Sequence, residues 1–364
     1  MSHADFEAAH LYDPAAPKAV GRLELLEWLT ARGISIEEMQ RADARGQLSF
    51  LASGGILRPG PYLTKRELAA RLGITLEQLE DFRIAFALPP VEPDAPWCNE
   101  VEAQTFEAVA TGVTLFGQHA MLGLSRVLGS SVSRIAEAMA TTNHERLRTI
   151  LGKGASELEI AKAALAATEG AGAPVRIIAG LLTIHLQLAA IRVRERRSNF
   201  ADETVNGCAG FVDLVGSTTL SRRLAPRELA AVVDRFEEVA HDVATDRGGR
   251  VVKFIGDEVM FVTGDADSAC DIALALIEAF AGDPAVTPRG GLAEGALLDR
   301  GGDYYGPIVN LAARLAELAV PREVLVSMDV AGNIIGPGLC CEAAGRRLLR
   351  GFDEPISLMS VSRA

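Results

Sequence analysis

The chain has 364 residues, 49% of them hydrophobic, and a net charge of −12, which allows two or three domains with true cores and excludes a disordered chain. Residues 1–200 carry 23 acidic and 21 basic side chains, and residues 201–364 carry 25 and 15. Neither half offers the basic surface that binding along a nucleic-acid backbone requires, so no nucleic-acid partner is expected.

The N-terminus lacks a basic start followed by an apolar core and a small-residue cleavage site, so no secretory signal is expected. Residues 1–20 contain Ala and Pro and read as a loose arm. From Arg22 to about Leu165 the pattern is helical, beginning with Leu23, Leu25, Leu26 and Leu29 at helix spacing. Ile34 to Glu38 reads as a capped helix start. Thr64 with Glu67 opens a further helix that Gly73 closes, and Thr75 with Gln78 opens the next. This helix–Gly–helix unit has the outline of a helix-turn-helix. Its second helix, Thr75 to Phe86, sets Arg83 against Glu77, Glu80 and Asp81 and would repel phosphates, so an ordinary helical hairpin is expected.

Pro89 to Pro96 is a break, followed by long helices over Glu100 to Leu151 and Ser156 to Arg197. The most apolar run, Ile177 to Ile191, contains His185 and Gln187 and falls short of the roughly 20 residues that cross a bilayer. It predicts a buried helix and no membrane span. Arg192 to Arg197 and the polar residues up to Gly207 read as a helix end and a linker. The five cysteines have no metal-ligand spacing and read as reduced, small buried thiols of a cytoplasmic protein.

After Gly207 the pattern changes. Strands are expected at Cys208 to Val215, Val251 to Ile255, Val259 to Val262 and Gly290 to Leu298. Helices are expected at Pro226 to Asp246, Ala266 to Ala281 and Val309 to Leu318. Val324 to Ser327, Arg346 to Leu349 and Ile356 to Val361 are candidate strands. The order strand–helix–strand–strand–helix–strand is the ferredoxin-like, or palm-like, arrangement. The expected class is therefore α+β: an all-helical domain over 1–197, a linker over 198–207 and a ferredoxin-like domain over 208–364.

Three local features carry chemistry. In the first, Asp213 ends an apolar strand and is followed by Leu214, Val215 and a Gly-containing turn, which can aim N–H groups at phosphates; an Asp there can equally cap a helix. In the second, Asp257 sits after Gly256 at a hairpin tip, and Lys253 interrupts the apolar strand before it. If the hairpin lies beside the first strand, Asp213 and Asp257 converge and repel unless a hard cation sits between them, which suits Mg²⁺ or Mn²⁺. The third is Asp303 to Arg314, where Asn310 and Arg314 share one face of an otherwise apolar helix; that pair can also be a plain solvent face.

Together these features resemble the class III nucleotidyl cyclase catalytic domain, from about Gly207 to the C-terminus. The resemblance implies that Asp213 and Asp257, with the Leu214 carbonyl, hold two Mg²⁺ or Mn²⁺ ions per active site. It implies that Lys253 and Asp303 read adenine, that Asn310 orients the ribose and that Arg314 stabilises the transition state. The implied reaction is conversion of ATP to 3′,5′-cyclic AMP and pyrophosphate at a homodimer interface, because the metal-binding residues of one subunit face the base- and phosphate-binding residues of the other. Phe254, Glu294 and Arg350 depart from that pattern; Arg350 is a candidate further cation for the triphosphate.

A diguanylate cyclase, suggested by Gly256-Asp257-Glu258, would need a second Gly where Ile255 stands. A guanylate cyclase would need acidic and small residues in place of Lys253 and Asp303. A catalytically dead nucleotide-binding module would be expected to have lost an Asp or the Arg. The first half looks like the helical regulatory region of mycobacterial cyclases activated by acid. That likeness implies pH regulation, with His185 in its apolar run as a candidate sensor whose protonation is costly when buried.

Overall fold

The computed structural model describes residues 2–152, 154–170, 172–196, 204–215, 225–282 and 286–364. The chain divides into two compact units, Met1–Thr183 and Ile184–Ala364.

The first unit holds α1 (His3–Ala8), α2 (Ala19–Thr30), α3 (Ile36–Asp43), α4 (Leu51–Leu57), α5 (Lys65–Leu72), α6 (Leu76–Ala85), α7 (Glu100–Phe116), α8 (Gln118–Leu151), α9 (Glu157–Glu169) and the start of α10 (Gly172–Arg196). Ser35, Thr64, Thr75, Asn99 and Ser156 each close a reciprocal capping box with the residue three positions on, as the first three were expected to do. Gly73 ends α5 at φ 65°, a left-handed position that favours glycine. Two small cores result. One gathers Phe6, Leu25, Leu26, Leu29 and Met39, and the other gathers Leu68, Leu79, Phe82, Trp97 and Phe106.

Several expectations need correction here: the arm over 1–20 contains α1 with Phe6 and Leu11 buried, and the described residues of Ser156 to Arg197 form α9 and α10 rather than one helix. The unit is not wholly helical, because β1 (Leu63–Thr64) pairs antiparallel with β2 (Pro96–Cys98) across the Pro-rich break. The expected helix over Glu100 to Leu151 breaks at Gly117, whose φ of 82° suits glycine. On α10, Ile177, Leu181, Ile184, Leu188 and Ile191 are all exposed, and so is His185. The apolar run is therefore exposed among the described residues, where a buried helix was expected. By length and composition alone, the stretch Glu157–Arg194 also contains a window apolar enough to cross a membrane, with a mean hydropathy of 1.6.

Residues 198–203 of the expected linker lie outside the described residues. Its last four positions, 204–207, already belong to β3 (Thr204–Val215). The second unit continues with α11 (Pro226–Asp246), β4 (Arg250–Ile255), β5 (Glu258–Thr263), α12 (Ala266–Ala279), β6 (Thr287–Arg300), β7 (Asp303–Tyr305), α13 (Pro307–Leu318), β8 (Val324–Ser327), α14 (Met328–Asn333), β9 (Leu339–Arg347) and β10 (Ile356–Arg363). The sheet runs β4-β5-β3-β6-β8-β10-β9, with β7 beside β6. The first four of these strands have the ferredoxin-like order. The strand expected at Arg346 to Leu349 is instead β9, which starts earlier and ends at Arg347.

Alternation along the strands covers both faces of the sheet. In β5, Val259 and Phe261 join one core with Phe236 of α11 and Ile272 of α12. Met260 and Val262 join the other with Ala312 and Leu315 of α13. The seat of α13 depends on Gly291, where an added Cβ would lie 2.1 Å from the Ala316 nitrogen and 2.4 Å from the Ala312 oxygen. Gly291→Ala should therefore force α13 off the sheet and destabilise the second unit by about 1–3 kcal/mol. Chemical denaturation checks this, and an unchanged midpoint would show that α13 is not held against β6.

Candidate functional site

Register decides what meets at the end of β3. Asp213 stands opposite Glu258 on β5 and opposite Arg289 on β6. The β4–β5 hairpin turns through Gly256 at φ 65°, and the Leu214 N–H donates to the Asp257 carbonyl at 3.3 Å. The hairpin thus lies beside the first strand, and Asp213 and Asp257 converge. Burial raises the Asp213 pKa. Arg289 opposes that rise, and the neighbouring Asp257 adds to it. Glu258 is pushed up to about 7 by burial and then by Asp213, Glu317 and Asp257.

This excess of carboxyl groups suits a cation. Among the described residues no three His, Cys, Asp or Glu side chains form a ready ion cage. An ion at Asp213 and Asp257 would therefore complete its shell with other oxygens, such as a backbone carbonyl and substrate phosphate, as Mg²⁺ commonly does.

A second group forms where β4 meets β7. Lys253 Nζ donates to Asp303 Oδ2 at 2.5 Å and lies 5.7 Å from the Tyr305 ring centre. The Tyr304 N–H donates to the other Asp303 oxygen at 2.8 Å. Burial works against the ionised Asp303, but Lys253, the Tyr304 N–H and Tyr305 outweigh it, so its carboxyl lies below the usual range. The strand lysine is thus one half of a bonded pair.

The third group is a cavity of about 440 Å³ lined by Pro307, Asn310, Arg314, Arg350, Gly351 and Phe352. Asn310 and Arg314 project from α13 while Leu311, Ala312, Leu315 and Ala316 face the sheet. Arg314 donates to both Glu317 oxygens, at 2.5 and 2.6 Å. Glu317 is exposed, and such a pair is worth at most about 1 kcal/mol, so a buried phosphate can displace it. None of Asp213, Asp257, Lys253 or Asp303 lines this cavity.

Three residues at the strand end escaped the sequence analysis: Arg289, Glu258 and Glu317. Arg289 lies 76 residues from its partner Asp213, and no local pattern announces the pair. Arg350 follows the end of β9, and only the fold brings it beside Arg314. Glu294 accepts a hydrogen bond at 3.0 Å from Asn333, which ties α14 to the sheet.

Residues 5–189 match the family model of the adenylate cyclase regulatory domain. An uncharacterized protein of Mycobacterium tuberculosis is 33% identical over 360 residues, covering 97% of this chain and 93% of its own. The chain belongs to the adenylate cyclase family. A pH-sensitive adenylate cyclase of M. tuberculosis is 31% identical over 366 residues, 94% of this cyclase and 88% of that one. An adenylate cyclase of Glutamicibacter nicotianae matches 126 residues at 45% identity, 34% of this chain and 31% of that one. Among solved structures, the adenylyl cyclase CyaB from Pseudomonas aeruginosa aligns with 44% of this chain and 96% of its own, at 23% identity and a TM-score of 0.41.

The Lys253–Asp303 bond makes a prediction for this cyclase that does not involve activity. A carboxyl whose pKa is lowered on folding adds stability above the ordinary carboxylate range, and that stability is lost as pH falls through the lowered value. Wild type should exceed Lys253→Met by up to roughly 1 kcal/mol at neutral pH, and the gap should close below about pH 4. Denaturation at several pH values reads this; a gap independent of pH would show that the pair does not act through its charges.

Proposed function

We propose that this cyclase converts ATP to 3′,5′-cyclic AMP and pyrophosphate as a homodimer in the cytoplasm, under control of its helical first unit. One observation carries the reading: the residue types the reaction needs lie in separate surface groups, carboxylates at the end of β3 and cations in the α13 cavity. A second copy placed so that one chain's carboxylates face the other's cavity completes two equivalent sites.

Class III cyclases generally use Mg²⁺ or Mn²⁺. Two such ions, held by Asp213, Asp257 and the Leu214 carbonyl, would acidify the ribose 3′-hydroxyl and neutralise the departing pyrophosphate. Lys253 donates to adenine N1 and Asp303 accepts from the N6 amine. Guanine presents the opposite pattern, with its N1–H donor against Lys253 and its O6 acceptor against Asp303. Asn310 orients the ribose. Arg314 leaves Glu317 and directs its donors at the charge that develops on the α-phosphate. Arg350, in the same cavity, offers a further cation to the triphosphate.

The exposed apolar side chains support association. Ile177, Leu181, Ile184, Leu188 and Ile191 recur at alternating intervals of four and three along α10, the spacing of a coiled-coil seam. Leu124, Leu128, Val132, Ile135 and Met139 form a comparable stripe on α8. Control by pH rests on the pH-sensitive relative, which aligns with 94% of this chain. His185 is exposed, so the cost of charging a buried imidazole does not supply the sensor.

Asp213→Ala and Arg314→Ala homodimers should each lose more than about 100-fold in activity. Mixing them should restore about a quarter of wild-type activity, since half of randomly mixed dimers then carry one intact site of two. Excess chelator should abolish cyclic AMP formation in every sample. Mixed dimers that form but stay inactive would show that the two residues act within one chain. For regulation, the full chain should gain activity on mild acidification more steeply than a chain beginning at Thr204. Identical pH profiles at equal dimer occupancy would exclude the first unit as the sensor.

A further inference from the structure

Arg289 belongs to none of the residue sets that the cyclase resemblance names, yet it makes the densest set of polar contacts at the strand end. It stands directly across from Asp213 in the antiparallel β3–β6 pair. Its Nε and Nη2 both donate to Asp213 Oδ2, at 3.1 and 2.9 Å. Its remaining arm, Nη1, donates to the carbonyls of Glu317 at 2.6 Å and Ala319 at 3.2 Å. Those carbonyls close the last turn of α13, where backbone acceptors lack helix partners and a cation is favoured. A single planar guanidinium thus links the carboxylate of β3 to the end of the helix that carries Asn310 and Arg314.

The geometry has a specific consequence for Asp213. Both donors converge on Oδ2, so the carboxylate is fixed by one oxygen while Oδ1 takes no bond from Arg289. A fork held by the helix end cannot follow the carboxylate through its other rotamers. Arg289 also supplies positive charge beside Asp257, Glu258 and Glu317, whose repulsion would otherwise splay the strand end. Lysine in its place would keep the charge but offers no planar fork that can serve both partners.

We propose that Arg289 is the positioning residue of the metal site: it presents Asp213 with one oxygen free and locks that presentation to the seat of α13. The inference rests on the reading of Asp213 and Asp257 as metal ligands. It makes a prediction of opposite sign to simple electrostatics. Removing a cation beside an ion site should strengthen metal binding if only charge matters, whereas losing the orienting bonds should weaken it.

The test titrates Mn²⁺ into the full chain with 2′,3′-dideoxy-ATP, which lacks the attacking hydroxyl, and reads free Mn²⁺ by electron paramagnetic resonance. Arg289→Lys and Arg289→Gln should each raise the half-saturating Mn²⁺ concentration at least about tenfold, the usual cost of losing a partner that orients a metal ligand. In turnover, the Mn²⁺ requirement should rise by more than kcat falls. The Lys variant keeps the charge and is the safer of the two for folding; its melting temperature and dimer content serve as controls. Unchanged or tighter Mn²⁺ binding in either folded variant would overturn the role of Arg289 alone. A wild-type chain that binds no Mn²⁺ with the nucleotide would overturn the metal-site reading itself, and the inference with it.

Discussion

Strand β3 is hydrogen-bonded along both edges and packed on both faces, and this fixes the chemistry at its end. Val212 and Leu214 enter one core while Phe211 enters the other, so a slip of one residue would exchange the two sets. The same register sets Asp213 between Glu258 on one side and Arg289 on the other. The position of the carboxylate is therefore as firm as the core that holds the strand. Its discomfort is imposed by the fold, because burial and the neighbouring acids both disfavour its charge.

Helix α13, packed on the face of the sheet that holds Phe211, carries the cationic part of the site. Gly291 lets α13 lie against β6 at backbone distance, and the helix then presents Asn310 and Arg314 outward beside Arg350. Asp213 and Asp257 collect at a strand end, while Arg314 and Arg350 line a cavity that neither of those two carboxylates lines. A polyanionic nucleotide with metal ions needs both groups at once. Under the proposed dimer a single chain would carry half of each of two sites, and association and catalysis would be one problem.

The helical unit has a related incompleteness. Its two cores are filled, yet α8 and α10 carry apolar stripes that face outward. Such surface is costly to leave in water, at about 25 cal/mol per Å², and the heptad-like spacing on α10 fits another helix of the same kind. Helix α10 carries this seam and spans the boundary between the two units at Thr183 and Ile184, so under the proposed control it is the element through which a change in the first unit reaches the second.

The sequence by itself determined the elements and the candidate ligands. Capping boxes at Ser35, Thr64 and Thr75, the hairpin at Gly256 and the i, i+4 pair Asn310–Arg314 are written within a few residues, because caps, turns and helix faces are local physics. Tertiary structure alone decided which of these groups meet. Arg289 finds Asp213, Lys253 finds Asp303 and Arg350 finds Arg314 because strands distant in sequence pair in a register set by core burial. Exposure was equally hidden: the run around His185 is apolar enough for a core, but burial depends on whether another surface covers it, and among the described residues it stays exposed.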